Sequence, residues 1–355
     1  MTEFSYATHT DSAGLLDIME SDITPGGLQL LYTRRDDPYA SYLAESPEAK
    51  VGIVRSDGKI TATLAAIPRR MYVGGTDARV CYVTNMKRLN GCTAYVNWHK
   101  MFKEMCEAVN CEYYFCSLLA GNRDVQSMLH KKRKHMPYAI PLCGYKTYII
   151  SPKTKITIST AKYEHVKGRP EDEPAIVSFL NSNGRQRDLF PVFDKLSDIG
   201  DIKAENFCLL KRDGRIAAAG ALWDRGKVKQ YIVKGCHGIY ALLRMMNPLL
   251  PYLGYIQIPK DDEPAPVAFV SFVLAENDDE ELYRHLLGYI CAEARDRYSM
   301  LVIGTDDSNP KRHILDGLRA VSFETQINEV IMSGLSGKEH NGHSWNNMEI
   351  ECALL

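Results

Sequence analysis

The segment with the most chemistry in it is Arg88-Leu89-Asn90-Gly91-Cys92-Thr93-Ala94. It lies between a run that reads as a strand (79–87) and one that reads as an amphipathic helix (94–109). A strand feeding a glycine turn that opens a helix presents free backbone N–H groups and the positive end of the helix dipole. Such a place suits a pyrophosphate. Gly91 lets the backbone approach an anion closely, and Arg88 adds charge and donors. The spacing matches neither the Walker loop nor the dinucleotide fingerprint. Cys92 is a thiol at a helix start, where its pKa could be lowered, although a small residue filling space under the loop is the plainer reading. Tyr82 and Asn85 stand on the strand before the loop. Strand alternation puts them on opposite faces, so one of the two points inward. His130 opens the basic run His130-Lys131-Lys132-Arg133-Lys134-His135, which reads first as a solvated face. Asp306 and Asp307 end a strand and read equally well as loop-capping residues.

The elements that position these residues occur twice. Residues 51–66 (VGIVRSDGKITATLAA) and 207–221 (FCLLKRDGRIAAAGA) are each a strand, a basic-x-Asp-Gly-basic turn and a second strand. Asp-Gly between apolar runs is a strong hairpin signal. A further strand follows each hairpin, at 79–87 and 267–274, then a helix, at 94–109 and 280–295. Trp98, Met101, Phe102, Met105 and Val109 fall on one face of the first helix, and Tyr283, Leu286, Leu287, Ile290 and Ala294 on one face of the second. Strands at 113–120 and 300–304, polar turns, short helices and closing strands at 143–150 and 324–332 complete the two copies. Each copy starts with a helix, at 12–20 and 171–180, and the join falls in the polar stretch 151–160. Residues 333–347 read as a loop before a last short strand, 348–355.

Composition excludes several classes. The 355 residues are 45% hydrophobic and 25% charged, with 43 basic against 44 acidic side chains and a formal net charge of -1. The length suits two ordinary domains, and the charge balance removes the broad basic footprint of a nucleic-acid binder. The longest apolar runs, 239–243 and 268–275, fall far short of the roughly 20 residues that span a bilayer. Residues 1–20 carry Glu3, Asp11, Asp17 and Glu20 but no Lys or Arg, unlike a secretory signal. A cytoplasmic protein is expected. The ten cysteines include no C-x-x-C pair, so reduced core thiols are expected and metal is not.

The loop resembles the acyl-CoA loop of the GNAT N-acyltransferase superfamily, whose motif is Gln/Arg-x-x-Gly-x-Gly/Ala. Arg88 and Gly91 match, while Thr93 replaces the usual small residue. The order of elements in each half is similar to the GNAT order, so the resemblance covers nearly the whole chain as a tandem pair. Asn122, after the fifth strand, is similar to the family's Asn that reaches the pantetheine arm. The ending Glu351-Cys352-Ala353-Leu354-Leu355 looks like the closing strand of uncharacterised tandem GNAT proteins.

The resemblance implies an α/β (α+β) fold of two GNAT-like domains, each a mixed, mostly antiparallel sheet flanked by helices. Residues 1–153 would bind the donor, and 154–355, with a closing C-terminal strand, would be a degenerate copy. Its loop at 275–281, AENDDEE, would repel a pyrophosphate. The implied activity is transfer of an acetyl or other acyl group from acyl-CoA to an amine, by direct attack in a ternary complex. The co-substrate would contact Val83, Met86, Arg88, Asn90, Gly91, Cys92, Thr93, Ala94 and Asn122. Backbone N–H groups along 83–86 would polarise the thioester. Tyr82, Asn85 and His130 are the catalytic candidates. The family's helix Tyr, about seven residues after the Asn, is here Leu129 with His130 beside it, and no strand Glu is visible. The basic run at 130–135 would suit the CoA 3′-phosphate. Some tandem members use a C-terminal carboxylate, here on Leu355. The acceptor would be a small-molecule or peptide amine, without nucleic acid, membrane or metal, and a homodimer stays open. The rival readings are a GNAT-derived module that binds CoA without turnover and a paired α/β interaction protein.

Overall fold

Both Asp-Gly turns form, and they set the two hairpins on which the sheet is built. Asp57 and Gly58 have φ of 50° and 80°, and Asp213 and Gly214 have 51° and 75°. Positive φ at both central residues is the twist that joins antiparallel strands tightly. The computed structural model describes residues 2–21, 27–93, 95–132, 137–156, 163–331 and 343–355.

The first half runs β1 (Thr2–Tyr6), α1 (Ser12–Glu20), β2 (Leu28–Thr33), α2 (Pro38–Glu45), β3 (Lys50–Ser56), β4 (Lys59–Val73), β5 (Thr76–Arg88), α3 (Trp98–Val109), β6 (Tyr113–Leu119), α4 (Arg123–Leu129) and β7 (Tyr138–Ile150). The second runs β8 (Glu164–Lys167), α5 (Glu173–Gly184), β9 (Phe207–Arg212), β10 (Arg215–Trp223), β11 (Gln230–Cys236), α6 (Ile239–Met245), β12 (Val267–Ala275), α7 (Glu280–Ala294), β13 (Met300–Asp306), α8 (Arg312–Asp316) and β14 (Ala320–Ile331).

Twelve strands form one sheet in the order β1-β3-β4-β5-β6-β14-β7-β13-β12-β10-β9-β8, while β11 and β2 pair in a separate ribbon. The halves exchange their closing strands. β14 pairs with β6 of the first half, and β7 pairs with β13 of the second. β7 and β14 pair with each other along their length, at the middle of the sheet. The expected copies are therefore present, but their sheets are interleaved at the centre. Each half contains one parallel pair, three residues long, after which the strands separate. These are β5 with β6 (Val80 to Tyr82 against Tyr113 to Phe115) and β12 with β13 (Val267 to Phe269 against Met300 to Val302). Helix α3 covers one face of the first half through Met101, Phe102, Met105, Cys106 and Val109. Helix α7 does the same in the second half with Leu286, Leu287 and Ile290.

Three expectations are corrected. The first long helix starts at Trp98 rather than at residue 94, because Asn97 accepts from Lys100 N and caps it. The helix expected at 171–180 is a short 3-10 turn at Pro170–Asp172 followed by α5. Residues 348–355 form no strand. They run irregularly and end in a 3-10 turn at Cys352–Leu354, held by side chains instead of a ladder. Ala94, the basic residues 133–136, residues 157–162 of the join and 332–342 of the late loop lie outside the described residues.

Candidate active site

Tyr82 and Asn85 do not lie on opposite faces of β5, because the strand is bulged between them. Along β4 and β5, Ala65 pairs with Thr84 but Thr63 pairs with Lys87, so Asn85 and Met86 together oppose Leu64. This is a β-bulge, and Asn85 takes φ of 51° to make it. The extra residue brings Asn85 to the same face as Tyr82. Tyr82 packs in the cluster that contains Tyr42, Phe115, Tyr145 and Ile350, and the Asn85 side chain interacts with Tyr42. Asn85 Nδ2 is buried and has no hydrogen-bond partner among the described residues. The Tyr82 hydroxyl bridges the separating strands to Ser117 Oγ at 2.6 Å. Burial pushes the Tyr82 phenol up to about 12, despite its hydrogen bonds, so it keeps its proton at neutral pH. Val83 lies on the other face with Cys81, Cys116 and α3, and Met86 packs against that cluster.

The second half has the same bulge in the equivalent place. Ala219 pairs with Leu274 and Ala221 with Ser271, so Phe272 and Val273 together oppose Gly220. Phe272 has φ of 54°. Here the function of the bulge is visible. The Phe272 N–H leaves the ladder and donates to Glu351 Oε1 at 2.7 Å. The chain's last residues therefore fill the second opening. Tyr145 Oη donates to the Ile350 carbonyl at 2.8 Å, and the Glu349 carboxylate takes Arg187 Nη1 at 2.8 Å. Burial, reinforced by Glu349, pushes the Glu351 carboxyl well above the usual carboxylate range. Asp306 accepts from Ser308 N at 2.9 Å, so it does act as a loop cap.

The loop 88–93 is a turn closed by Cys92 N on the Leu89 carbonyl at 3.1 Å, with Gly91 at φ of 73°. Arg88, Asn90, Gly91 and Thr93 are exposed, and Cys92 is half-buried. Asn90 Nδ2 donates to the Ser21 carbonyl at 3.0 Å. Because α3 begins only at Trp98, the loop precedes the helix rather than forming its first turn. Asn122 caps α4 by accepting from Val125 N at 3.4 Å. His130 ends α4, its Nε2 2.9 Å from Asn328 Oδ1. Asn328 pairs with Cys116, and Ile327 with Ser117. His130 therefore belongs to the face of Cys116, across the sheet from Tyr82 and Asn85. The structure brings Tyr82 and Asn85 together and keeps His130 apart.

Beneath Tyr82 lies a charge cluster that the sequence reading missed. Ile67 pairs with Tyr82 on β4, and Arg69, two residues on, points to the same face. Glu45, at the end of α2, accepts from Arg34 Nη2 and, at 2.5 Å, from Arg69 Nη2. Lys229 Nζ and Arg225 Nη2 stand 3.8 and 3.9 Å from Glu45 Oε1. All five side chains are buried. Lys229 also donates to the Leu355 carbonyl at 2.7 Å and Arg69 to the Leu354 carbonyl at 3.3 Å, so the chain's last residues reach this cluster. Burial opposes the Glu45 charge, but the fields of Lys229, Arg34, Arg69 and Arg225 overcome it and hold the carboxyl below the usual range. Burial lowers Lys229 to about 7, against the pull of Glu45. The only signal in the sequence was a charge inside an apolar run, as at Arg69. Among the described residues no group of His, Cys, Asp and Glu is arranged to hold a metal, and no helix is long and apolar enough to cross a membrane.

An α/β protein of two related halves, each with a splayed parallel pair and a bulge on its inner strand, is a defined architecture. It is the GNAT fold, here as a tandem pair. N-myristoyltransferase from Saccharomyces cerevisiae, solved with bound myristoyl-CoA, superposes with a TM-score of 0.61 at 9% identity, over 98% of this chain and 89% of that one. A GCN5-related N-acetyltransferase from Sphaerobacter thermophilus gives 0.56 at 10% identity, over 96% and 98%. One from Anabaena variabilis ATCC 29413 gives 0.52 at 8%, over 94% and 73%. No family model and no curated protein matches the chain.

Proposed function

We propose that the protein is an acyl-CoA-dependent N-acyltransferase whose donor thioester seats between β5 and β6. Its carbonyl oxygen would lie on the Asn85 N–H. The observation that carries this reading is the pair of matching bulges. In the second half the bulge N–H leaves the ladder and donates to a carboxyl oxygen of Glu351. The matching bulge at Asn85 supports a like donor for a thioester carbonyl in the first half. The acyl-CoA-bound state of the N-myristoyltransferase supports the donor class. The second opening is filled by the chain itself, which supports a single donor site, in the first half.

The acceptor is a small-molecule or peptide amine. Its lone pair attacks the carbonyl carbon, the nitrogen gives up one proton to solvent, the C–S bond breaks, and the departing thiolate takes a proton. Tyr82, protonated at neutral pH and facing the opening, is the donor on that face. Arg88, Asn90, Gly91, Cys92 and Thr93 would receive the pyrophosphate, with Ala94 beyond them, and acetyl-CoA is the simplest co-substrate. The residues named for the pantetheine and for proton transfer on α4 fit less well, because Asn122 is engaged as a cap and His130 faces away. That observation favours, as a second reading, a module that binds acyl-CoA without turnover.

Calorimetric titration with acetyl-CoA and myristoyl-CoA tests both readings, alongside Arg88→Glu and Gly91→Asp. A Cβ at Gly91 would meet nothing within 4 Å, but φ of 73° strains any side chain there, so Arg88→Glu is the cleaner test of charge. Saturable binding lost in both variants, with turnover of an amine, is the expected result. Binding without turnover selects the second reading, and no binding to either thioester overturns both.

A further inference from the structure

Exposed apolar side chains on this protein are concentrated in one stretch. Eleven large apolar side chains stand exposed among the described residues, and eight of them lie between Ile239 and Tyr255. That is a patch, and patches carry function where scattered apolar residues do not. Met245 is 82% exposed, Tyr252 83%, Ile239 67% and Leu242 59%. No side chain of α6 is buried. Within α6, Ile239, Leu242 and Met245 recur every three residues, so they lie along one exposed side. The stretch IYALLRMMNPLLPYLGY holds one charged residue, Arg244, and that one is paired with Asp261 at 2.7 Å.

Two cations stand at its edge. Lys153 Nζ lies 5.6 Å from the Tyr252 ring centre, and the Arg319 guanidinium lies 5.3 Å from that of Tyr255. Arg319 also donates to the Leu253 carbonyl. Neither cation has a carboxylate partner among the described residues, whereas the neighbouring acids Asp261 and Asp262 are taken by Arg244 and Lys234. An exposed helix of Ile, Leu and Met, with tyrosines and two cations without carboxylate partners among the described residues at its rim, matches the chemistry of an anionic bilayer surface.

We infer that residues 239–255 dock the protein on an anionic membrane. The apolar tips enter the headgroup boundary, and Lys153 and Arg319 meet lipid phosphates. The segment before the patch touches the connection from α1 to β2. His237 N, just before α6, donates to the Gly27 carbonyl at 2.6 Å. Gly27 and Ser21 flank the same connection from α1 to β2, and Ser21 takes the Asn90 side chain of the donor loop. A span was all that hydropathy excluded, and a peripheral contact needs no span.

Co-sedimentation of the full chain with vesicles of phosphatidylcholine and phosphatidylglycerol at 7:3, against phosphatidylcholine alone, tests this. The wild type should pellet with the anionic vesicles and lose binding in high salt. Leu242→Glu and Met245→Glu, both at exposed positions, should bind roughly tenfold more weakly with unchanged unfolding midpoints. Lys153→Ala should cost about fivefold, the worth of one cation at such a surface. No pelleting with anionic vesicles overturns the inference, as does equal binding by the two Glu variants. A wild-type dimer that Met245→Glu converts to monomer, with neither form binding vesicles, assigns the patch to a second copy and also overturns it.

Discussion

Replacing Glu45 by Gln removes the one carboxylate that four buried cations share, without changing the shape of the side chain. Glu45 holds Arg34 and Arg69 directly and stands within 4 Å of Arg225 and Lys229. Arg34 Nε, Arg69 Nε and Arg225 Nε are already buried without partners, and the other acceptors in reach, Asp201 for Arg225 and the Leu354 and Leu355 carbonyls for Arg69 and Lys229, are already taken. Removing one partner of a buried ion pair costs about 3–5 kcal/mol, because the remaining charge stays desolvated. Against a total stability on the order of 5–15 kcal/mol, that is a large share. Urea unfolding followed by circular dichroism at pH 7 measures it directly. The wild type should also carry a pH signature. Its Glu45 carboxyl is held below the ordinary value, so the stabilisation is complete above the unfolded pKa of roughly 4.3 and fades as pH falls toward the folded one. The difference between wild type and Glu45→Gln should therefore shrink below about pH 4. A Gln variant within 1 kcal/mol of wild type at pH 7 would refute the reasoning, because the four cations would then need no internal anion.

Tyr82→Phe should leave acyl-CoA binding unchanged while lowering turnover by about 10²-fold, the ordinary worth of one proton donor; an unchanged kcat removes Tyr82 from the chemistry. Glu351→Gln keeps an acceptor for the Phe272 N–H but removes a carboxyl whose folded pKa is raised. The folded wild type holds its proton above the unfolded value, so its stability falls as pH rises through that range. The Gln variant should match wild type at pH 4 and withstand more urea at pH 8, and a difference independent of pH would refute this.

Much of this protein was legible from local pattern. The Asp-Gly turns, the apolar faces of α3 and α7 and the doubled order of elements depend on period and turn chemistry, which adjacent residues carry. The candidate loop at 88–93 was legible too, since a glycine turn after a strand is a local feature. What the sequence could not decide was everything that depends on partners distant in the chain. The bulge that turns Asn85 to the side of Tyr82 exists because two residues of β5 oppose Leu64 of β4, a matter of register. The exchange of β7 and β14 is a choice of neighbour between strands far apart in the chain. Residues 348–355 alternate like a strand, yet they fill the second opening because β12 and β13 separate there and offer the Phe272 N–H instead of an edge. Glu45, Arg34, Arg69, Arg225 and Lys229 look like scattered surface charges in the sequence. Only folding removes their water and leaves each the others' main partners.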